Sequence, residues 1–290
     1  MDYRIIIISV FAAFALLELA LGRLLFREQT TKKDLILEIG AGLMLPGVVV
    51  PMIMTVSAMV VEWLVPGSEG ALAHWSFGAM FLTLLIVDDL TQYFWHRLSH
   101  SSTILYGLHR AHHSAEYLSV RVTYRNNILY YAMMPGLWFS GVLLYLGFLP
   151  VYVVYYVAKM TVITAAHSSV AWDDKLLQIP WLRPVMWVVQ RTISTPSTHS
   201  AHHGRHADDG ITHYKGNFGN FLFFWDVLFG TAKISATRPP AFGLENVEPA
   251  TWFEELLWPF GPRRQPASPE LGASSSTSPA LVASEGRAQP

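Results

Sequence analysis

Nine of the twelve histidines in this chain of 290 residues fall into spaced groups: His96-x3-His100, His109-x2-His112-His113, an isolated His167, and His199-x2-His202-His203. Neutral imidazole is the commonest protein ligand for borderline metals such as iron and zinc. One tetrahedral or octahedral ion cannot use so many nitrogens, so the inventory suits two ions side by side. A spacing of four puts His96 and His100 one turn apart on one helical face. If His109-x2-His112-His113 is helical, its i, i+3 pair shares a face and the adjacent histidine points roughly 100° away. One segment can then touch two ions, or one ion and its neighbour, and His199-His202-His203 repeats the geometry. His167 taken alone reads as a helix cap; the surrounding constellation makes it a ligand candidate. His74 reads as structural, and His206 and His213 as supporting or solvent-facing side chains.

The absent motifs narrow the chemistry. There is no His-Glu-x-x-His of zinc peptidases, no paired Glu-x-x-His of soluble carboxylate di-iron bundles, and no Gly-rich phosphate loop. What remains is histidine-rich iron that binds dioxygen beside a lipid and cuts an unactivated C–H bond. Asp88 or Asp89 could accept a hydrogen bond from the distal nitrogen of a ligand imidazole; equally, these acids could simply end a membrane span.

The elements that must position these residues are apolar. The chain is 52% hydrophobic and 14% charged, where soluble domains carry about 25% charged residues, and its mean hydropathy is +0.32. A net charge of -1 argues against nucleic acid as a partner. The absence of cysteine excludes disulfides, Cys-ligated zinc and iron–sulfur clusters.

Ile5–Phe26 is an apolar run interrupted only by Glu18 and Arg23, too long and too charged for a signal peptide. A second span covers Leu35–Val65, kinked or broken near Pro46 and Pro51. A third runs from about Trp75 to Val87 and continues as the helix carrying His96 and His100. The fourth and fifth, Asn127–Phe148 and Val151–Ala166, form a hairpin around Leu149-Pro150, with Lys159 either snorkelling or facing a polar interior. Between Trp172 and Thr195 the pattern fits an interfacial or re-entrant helix, with Trp181 and Trp187 at headgroup depth. Arg23, Arg27, Lys32 and Lys33 place the loop after the first span in the cytoplasm, and counting onward brings all four histidine segments to that face. Tyr130, Tyr131, Trp138, Tyr155 and Tyr156 could line a substrate tunnel, although such aromatic stripes more often serve helix packing or interface belts.

The expected fold is therefore an all-α integral membrane protein. It has about four to five transmembrane helices in hairpins and a cytosolic helical cap carrying a His-rich dinuclear metal site. The expected divisions are an N-terminal transmembrane hairpin (1-72), a catalytic domain (73-235), a C-terminal interfacial segment (236-260) and a Pro-, Ser- and Ala-rich disordered tail (261-290).

Longer strings carry a family resemblance. Asp89-Leu-Thr-Gln-Tyr93-Phe-Trp95-His96-Arg97-Leu-Ser-His100, His109-Arg-Ala-His112-His113-Ser-Ala-Glu116, Arg125, Thr195-Pro196-x-x-His199-x-x-His202-His203-Gly204-Arg205 and Asn217-Phe-Gly219-Asn-x4-Trp225-Asp226-x2-Phe229-Gly230-Thr231 cover half the chain. Together they resemble the fatty acid hydroxylase / sterol desaturase superfamily of membrane non-haem iron enzymes. The His-x-x-His-His-Gly-Arg form is similar to the branch containing alkylglycerol monooxygenase and bacterial relatives. The resemblance implies two iron ions held by the nine histidines, with dioxygen as co-substrate and zinc as an alternative occupant of purified or non-catalytic protein. It implies a membrane lipid as substrate for hydroxylation or desaturation, and a separate electron-transfer protein of cytochrome or ferredoxin type. Asp89, Arg97, Glu116, Arg125 and Asp226 match family polar positions and are expected behind the ligands or tying helices. Ser168-Ser169 and the stretch from His206 to Gly216 depart from the usual pattern, which weakens any transfer of substrate identity. A metal carrier, or a catalytically silent zinc-bound relative, are the rival readings. Truncation after Phe260 is expected to leave activity intact; strong loss would show that the tail belongs to the functional unit.

Overall fold

A computed structural model describes residues 3–26, 28–235, 237–245, 247 and 250–261. Most of the expected tail, from 262 onward, lies outside the described residues. The described chain is helical: α1 Tyr3–Ala20, α2 Lys32–Met44, α3 Val50–Leu64, α4 Phe77–Leu84, α5 Thr91–Ser99, α6 Thr103–His113, α7 Ile128–Ala132, α8 Pro135–Leu143, α9 Leu149–His167, α10 Trp172–Leu177, α11 Arg183–Thr192, α12 Pro196–His203, α13 Phe224–Phe229 and α14 Trp252–Leu257. Among the described residues the strand-like pairing is one isolated bridge, Gly204 with Phe242.

Three helical stretches among the described residues are long and apolar enough to cross a membrane: Lys32–Leu64, Phe77–Ser99 and Pro135–His167. Each contains a widened π-helical turn, at Leu45–Val49, Leu85–Leu90 and Leu144–Phe148. In the first, Pro46 and Pro51 remove two backbone donors, and the wide turn absorbs them without breaking the column. The kink or break expected at these prolines takes the form of a continuous helix with one altered turn. In the third, Gly147 has φ 110°, outside the helical region, and the chain reverses there. A Cβ at Gly147 would stand 2.9 Å from the Ala73 Cβ, so both the backbone angle and the close approach require glycine. Gly70 and Leu72 donate their N–H groups to the Tyr145 and Leu146 carbonyls, joining the α3–α4 loop to this turn.

The outer surface is apolar and the interior partly polar, the inverse of a soluble bundle. Leu43, Met59, Trp63, Leu82 and Ile86 are exposed, whereas Ser57, Asp88, Ser140 and Lys159 are buried. Lys159 faces this interior and donates to Asp88 at 2.6 Å, beside the Tyr155 hydroxyl, which donates to the same carboxylate at 2.8 Å. On α8, a Cβ at Gly141 would stand 2.6 Å from Ser57 Oγ on α3, the small-residue contact that lets membrane helices approach closely.

Glu18 in α1 is fully buried and locks the opposite end of the bundle. It accepts from Ser119 Oγ at 2.6 Å, Ser168 Oγ at 2.9 Å, Ser169 N at 2.7 Å and Val120 N at 3.3 Å. Ser168 and Ser169 follow His167 directly, so α1 braces the end of α9. A buried ion group fastens two further helices in the same manner. Arg125 donates to Asp34 at 2.6 Å and lies 3.6 Å from Glu255, joining α2 and α14. Glu18→Ala is expected to leave the Glu18 donors unpaired and lower stability by about 3 kcal/mol or more, with Glu18→Gln milder. Thermal unfolding in detergent measures the difference, and an unchanged midpoint for Glu18→Ala would refute the bracing role.

Candidate metal centre

Four helix segments present the histidines. On α5, His96 lies in the last turn and His100 forms the C-cap. The Ser102 side chain caps α6 at the Leu105 N–H, and that helix ends on His109, His112 and His113. His167 is the last residue of α9. Pro196 at the first turn and the Thr195–Thr198 capping box start α12, which carries His199, His202 and His203. All nine predicted histidines are buried, none more than 5% exposed.

Their nitrogens form two groups, each with donor atoms within 4.8 Å of one another: His96, His100, His109, His113 and His202, and then His112, His167, His199 and His203. The adjacent pairs His112-His113 and His202-His203 are each divided between the groups, as the 100° offset along a helix allows. His74 is exposed and far along the chain from both sets. His206 Nδ1 lies 2.9 Å from Glu245, and His213 Nε2 lies 3.2 Å from the Thr231 carbonyl; neither belongs to a group.

The ring orientations carry the chemical argument. A carbonyl oxygen can only accept, so an imidazole Nδ1 bonded to one must hold the proton. This fixes His96 on Phe218 O at 2.7 Å, His112 on Arg125 O at 3.2 Å, His167 on Ile163 O at 2.8 Å and His202 on Gly216 O at 2.8 Å. His109 Nδ1 lies 2.8 Å from Asn126 Oδ1. Their Nε2 atoms then turn bare lone pairs inward. His96 and His202 face each other at 3.0 Å, His96 and His109 at 3.0 Å, and His112 and His167 at 3.3 Å. Lone pairs so close repel unless a cation lies between them. Nitrogens held roughly 2.0–2.1 Å from a metal stand about 2.9–3.4 Å apart at octahedral to tetrahedral angles, which matches. Both ring nitrogens of buried His100 and Nδ1 of His199 have no protein partner. The donor set fits a metal.

Burial holds His100, His109, His112, His113, His199, His202 and His203 well below the usual histidine range, and neighbouring imidazoles add to the shift. The neutral, ligating form therefore persists at neutral pH.

Neither Asp88 nor Asp89 bonds a ligand imidazole. Asp88 is engaged by Lys159 and Tyr155, and Asp89 accepts from the Trp225 indole at 2.8 Å and Leu222 N at 3.3 Å. Backbone carbonyls, rather than these acids, hold the distal nitrogens. Arg125 acts through its carbonyl, while its guanidinium donates to Ala111 O at 2.8 Å and Ser114 Oγ at 2.8 Å, fixing the end of α6. Glu116 pairs with Arg205 at 3.2 Å and ties the segment after α6 to that after α12. Asp226 accepts from Phe218 N at 2.8 Å, Gly219 N at 2.6 Å and Thr231 Oγ1 at 2.6 Å. Arg97 joins the same network through Tyr93, whose hydroxyl meets Thr231.

Asn217 explains why that loop is built so. Its φ of 58° is left-handed, and its two neighbours, Gly216 and Phe218, present the carbonyls that orient His202 and His96. The Asn217 amide stabilises the turn by donating to Thr198 O at 2.8 Å and Lys233 O at 2.8 Å. Asn126, beside His109, carries no mark in the sequence reading, and Asn217 appears there only as the first residue of a family string, without a role. The signal for Asn126 is its place beside Arg125, and for Asn217 the residue type itself, since Asn tolerates left-handed backbone and carries its own acceptor.

A cavity is lined both by residues of the candidate spans and by histidines of the cage. Its apolar wall includes Leu45, Val50, Met134, Leu137, Met160 and Ile163. His96 and His109 from one group and His112 and His167 from the other also line it. Of the aromatic residues expected along a tunnel, Tyr130, Tyr131 and Tyr156 line the cavity. Trp138 instead donates to Ala132 O, and Tyr155 packs in the α4–α9 core.

These features define a membrane-embedded helical protein with a buried histidine cage. Residues 81–231 match the family model described as fatty acid hydroxylase, and the chain belongs to that family. Among curated proteins it is similar to alkylglycerol monooxygenase of Homo sapiens, 27% identical over 63% of this chain and 35% of the relative. It is also similar to the Danio rerio protein of that name, 26% identical over 54% of this chain and 30% of the relative. The chain thus spans about a third of the length of the curated relatives it matches. No solved structure matches it.

Asn217→Gly should relieve the left-handed backbone but lose the amide bonds, and Asn217→Ala should lose the bonds and keep the strain, roughly 1 kcal/mol worse. Thermal unfolding of the two variants tests this; an alanine variant as stable as the glycine variant would contradict the turn argument.

Proposed function

We propose that this chain is a membrane oxygenase that hydroxylates, or desaturates, a lipid with dioxygen at two iron ions. His96, His100, His109, His113 and His202 would hold one ion, and His112, His167, His199 and His203 the other. The observation that carries the reading is the cavity: its lining joins apolar residues of the candidate spans to imidazoles of both groups. An apolar chain arriving through it would meet the metals without passing through water. Iron bound there would supply the dioxygen and one-electron chemistry needed to oxidise an unactivated C–H bond.

The protein's own contribution is positional. Carbonyls at Phe218, Arg125, Ile163 and Gly216 fix ring tautomers and make the inward nitrogens better donors. The apolar wall would exclude water and hold one stretch of substrate against the histidines. The residues named in the sequence as supporting positions, Asp89, Arg97, Glu116, Arg125 and Asp226, would keep the four segments in register. The names of the relatives extend to this chain as part of the proposal: an alkylglycerol or another lipid tail would be the molecule oxidised. Electrons would come from a separate cytochrome- or ferredoxin-type protein.

The cage would face the cytoplasm. Arg23 donates to Ser169 O, two residues after His167, and Lys33 pairs with Glu255. The basic loop therefore lies at the histidine end of the bundle, which supports a positive-inside orientation.

Purified protein is expected to carry about two iron ions per chain. His112→Ala and His202→Ala should each lower metal content and abolish a gain of one oxygen on a membrane lipid class, read by mass spectrometry. His74→Ala should do neither. Full metal and activity in both cage variants would overturn the assignment.

A further inference from the structure

Helices α11 and α13 supply no histidine to the cage, yet both leave apolar side chains uncovered. On α11, Met186 and Gln190 form the inner face: both are buried, and Gln190 donates to Ser197 Oγ at 3.2 Å in the first turn of α12. The opposite face, half a helical turn away, carries Val185 and Val188. Trp187 stands beside them and Trp181 just before the helix, and all four are more than half exposed. On α13, Asp226 is buried while Phe224, Val227 and Leu228 are exposed. The two helices pack against each other.

Their depth follows from α5. The Phe229 ring, at the end of α13, lies 5.2 Å from Phe94 and 5.4 Å from Tyr93, both in the candidate span Phe77–Ser99. From Phe77 to Phe94 a helix rises about 26 Å, and a hydrocarbon core is about 30 Å thick. α13 therefore stands where that span passes from hydrocarbon to headgroups. The charge there has one sign. No acidic residue occurs between Asp174 and Asp208. Lys175 and Arg183 are exposed, and the Arg191 guanidinium lies 4.0 Å over the Trp187 ring.

We infer that α11 and α13 dock on the headgroup layer at the histidine end of the bundle, and that this contact selects anionic lipid. The inference rests on the membrane location of the chain and not on the oxygenase reading. Trp and Arg suit that depth together, the indole at the apolar boundary and the cation among anionic headgroups. α11 has ten residues, about 15 Å of helix, too short to cross. With its inner face held by α12, it lies along the surface. A second copy in a two-fold contact would bring the same cations against each other, whereas anionic headgroups neutralise them.

The chain has no cysteine, so single-cysteine labels on the full-length protein in nanodiscs read this contact directly. Val188→Cys and Leu228→Cys would each carry a bimane, and metal content checks that the labelled protein is folded. The discs hold equal phosphatidylglycerol and phosphatidylcholine, with a nitroxide high on the acyl chain of one lipid or the other. Both labels should be quenched by lipid nitroxide and shielded from aqueous iodide. Quenching at graded mole fractions should show a preference for phosphatidylglycerol of about fivefold or more at low salt. The Arg183→Gln/Arg191→Gln double variant should bring it close to one. Quenching by iodide and not by lipid would overturn the docking. Equal quenching by the two lipids, or a preference that survives in the double variant, would overturn the charge selection. Shielding seen with two copies per disc and lost with one would assign the face to a dimer and overturn the proposal. No outcome depends on turnover, so failure here is distinct from failure of the oxygenase reading, which metal content and lipid mass report.

Discussion

Imidazole nitrogens that face one another at about hydrogen-bonding distance, with their protons committed elsewhere, impose the central constraint on this molecule. His96, His112, His167 and His202 each spend Nδ1–H on a backbone carbonyl, so their inward Nε2 atoms have no proton to share. Such a cluster is repulsive in an apolar interior and becomes favourable around cations. The surrounding architecture keeps those rings from turning away. Four helix ends must converge, and each is fastened from behind: α5 by the Asn217 turn, α6 by Arg125, α9 by Glu18 and its serines, α12 by its capping box and by Gly216.

The fastenings share one logic. Each places a charged, amide or hydroxyl side chain against backbone N–H or C=O groups that a helix end or tight turn leaves unpaired. Asp226 receives two backbone amides of the loop that orients His96, and Glu18 receives two backbone amides on either side of the bundle. Side chains hold backbone, and backbone holds the histidines. The C-terminal helix α14 belongs to the same scheme, since Glu255 reaches Arg125 and the Trp258 carbonyl accepts from Asn127.

The membrane supplies the other half of the design. Apolar residues on the outer faces of the spans leave the interior free for Asp88, Lys159, Gln92 and the cavity, a polar lining shielded from lipid by the helices around it. The π-helical turn at Leu85–Leu90 lies where α4 gives way to the histidine-bearing α5, and it carries both Asp88 and Asp89.

Much of this was legible in the residues themselves. The nine histidines, the helical character and the hairpin around residue 149 follow from spacing and helical periodicity, because those are local properties of a chain with fixed geometry; whether an adjacent pair reaches one group or two was left open and is decided by packing. The family strings marked Asp226 and Arg125 as important without saying how. What spacing could not give was the partner of each group. Carbonyls have no sequence signature, so the roles of Gly216, Phe218 and Ile163 appear only when distant segments meet. The same holds for Glu18, a lone charge in an apolar run whose four donors come from two remote loops, and for Lys159, whose choice between lipid surface and polar interior depended on Asp88 standing opposite. Local periodicity determined which atoms could bind metal; long-range packing decided which of them face one another, and what holds them there.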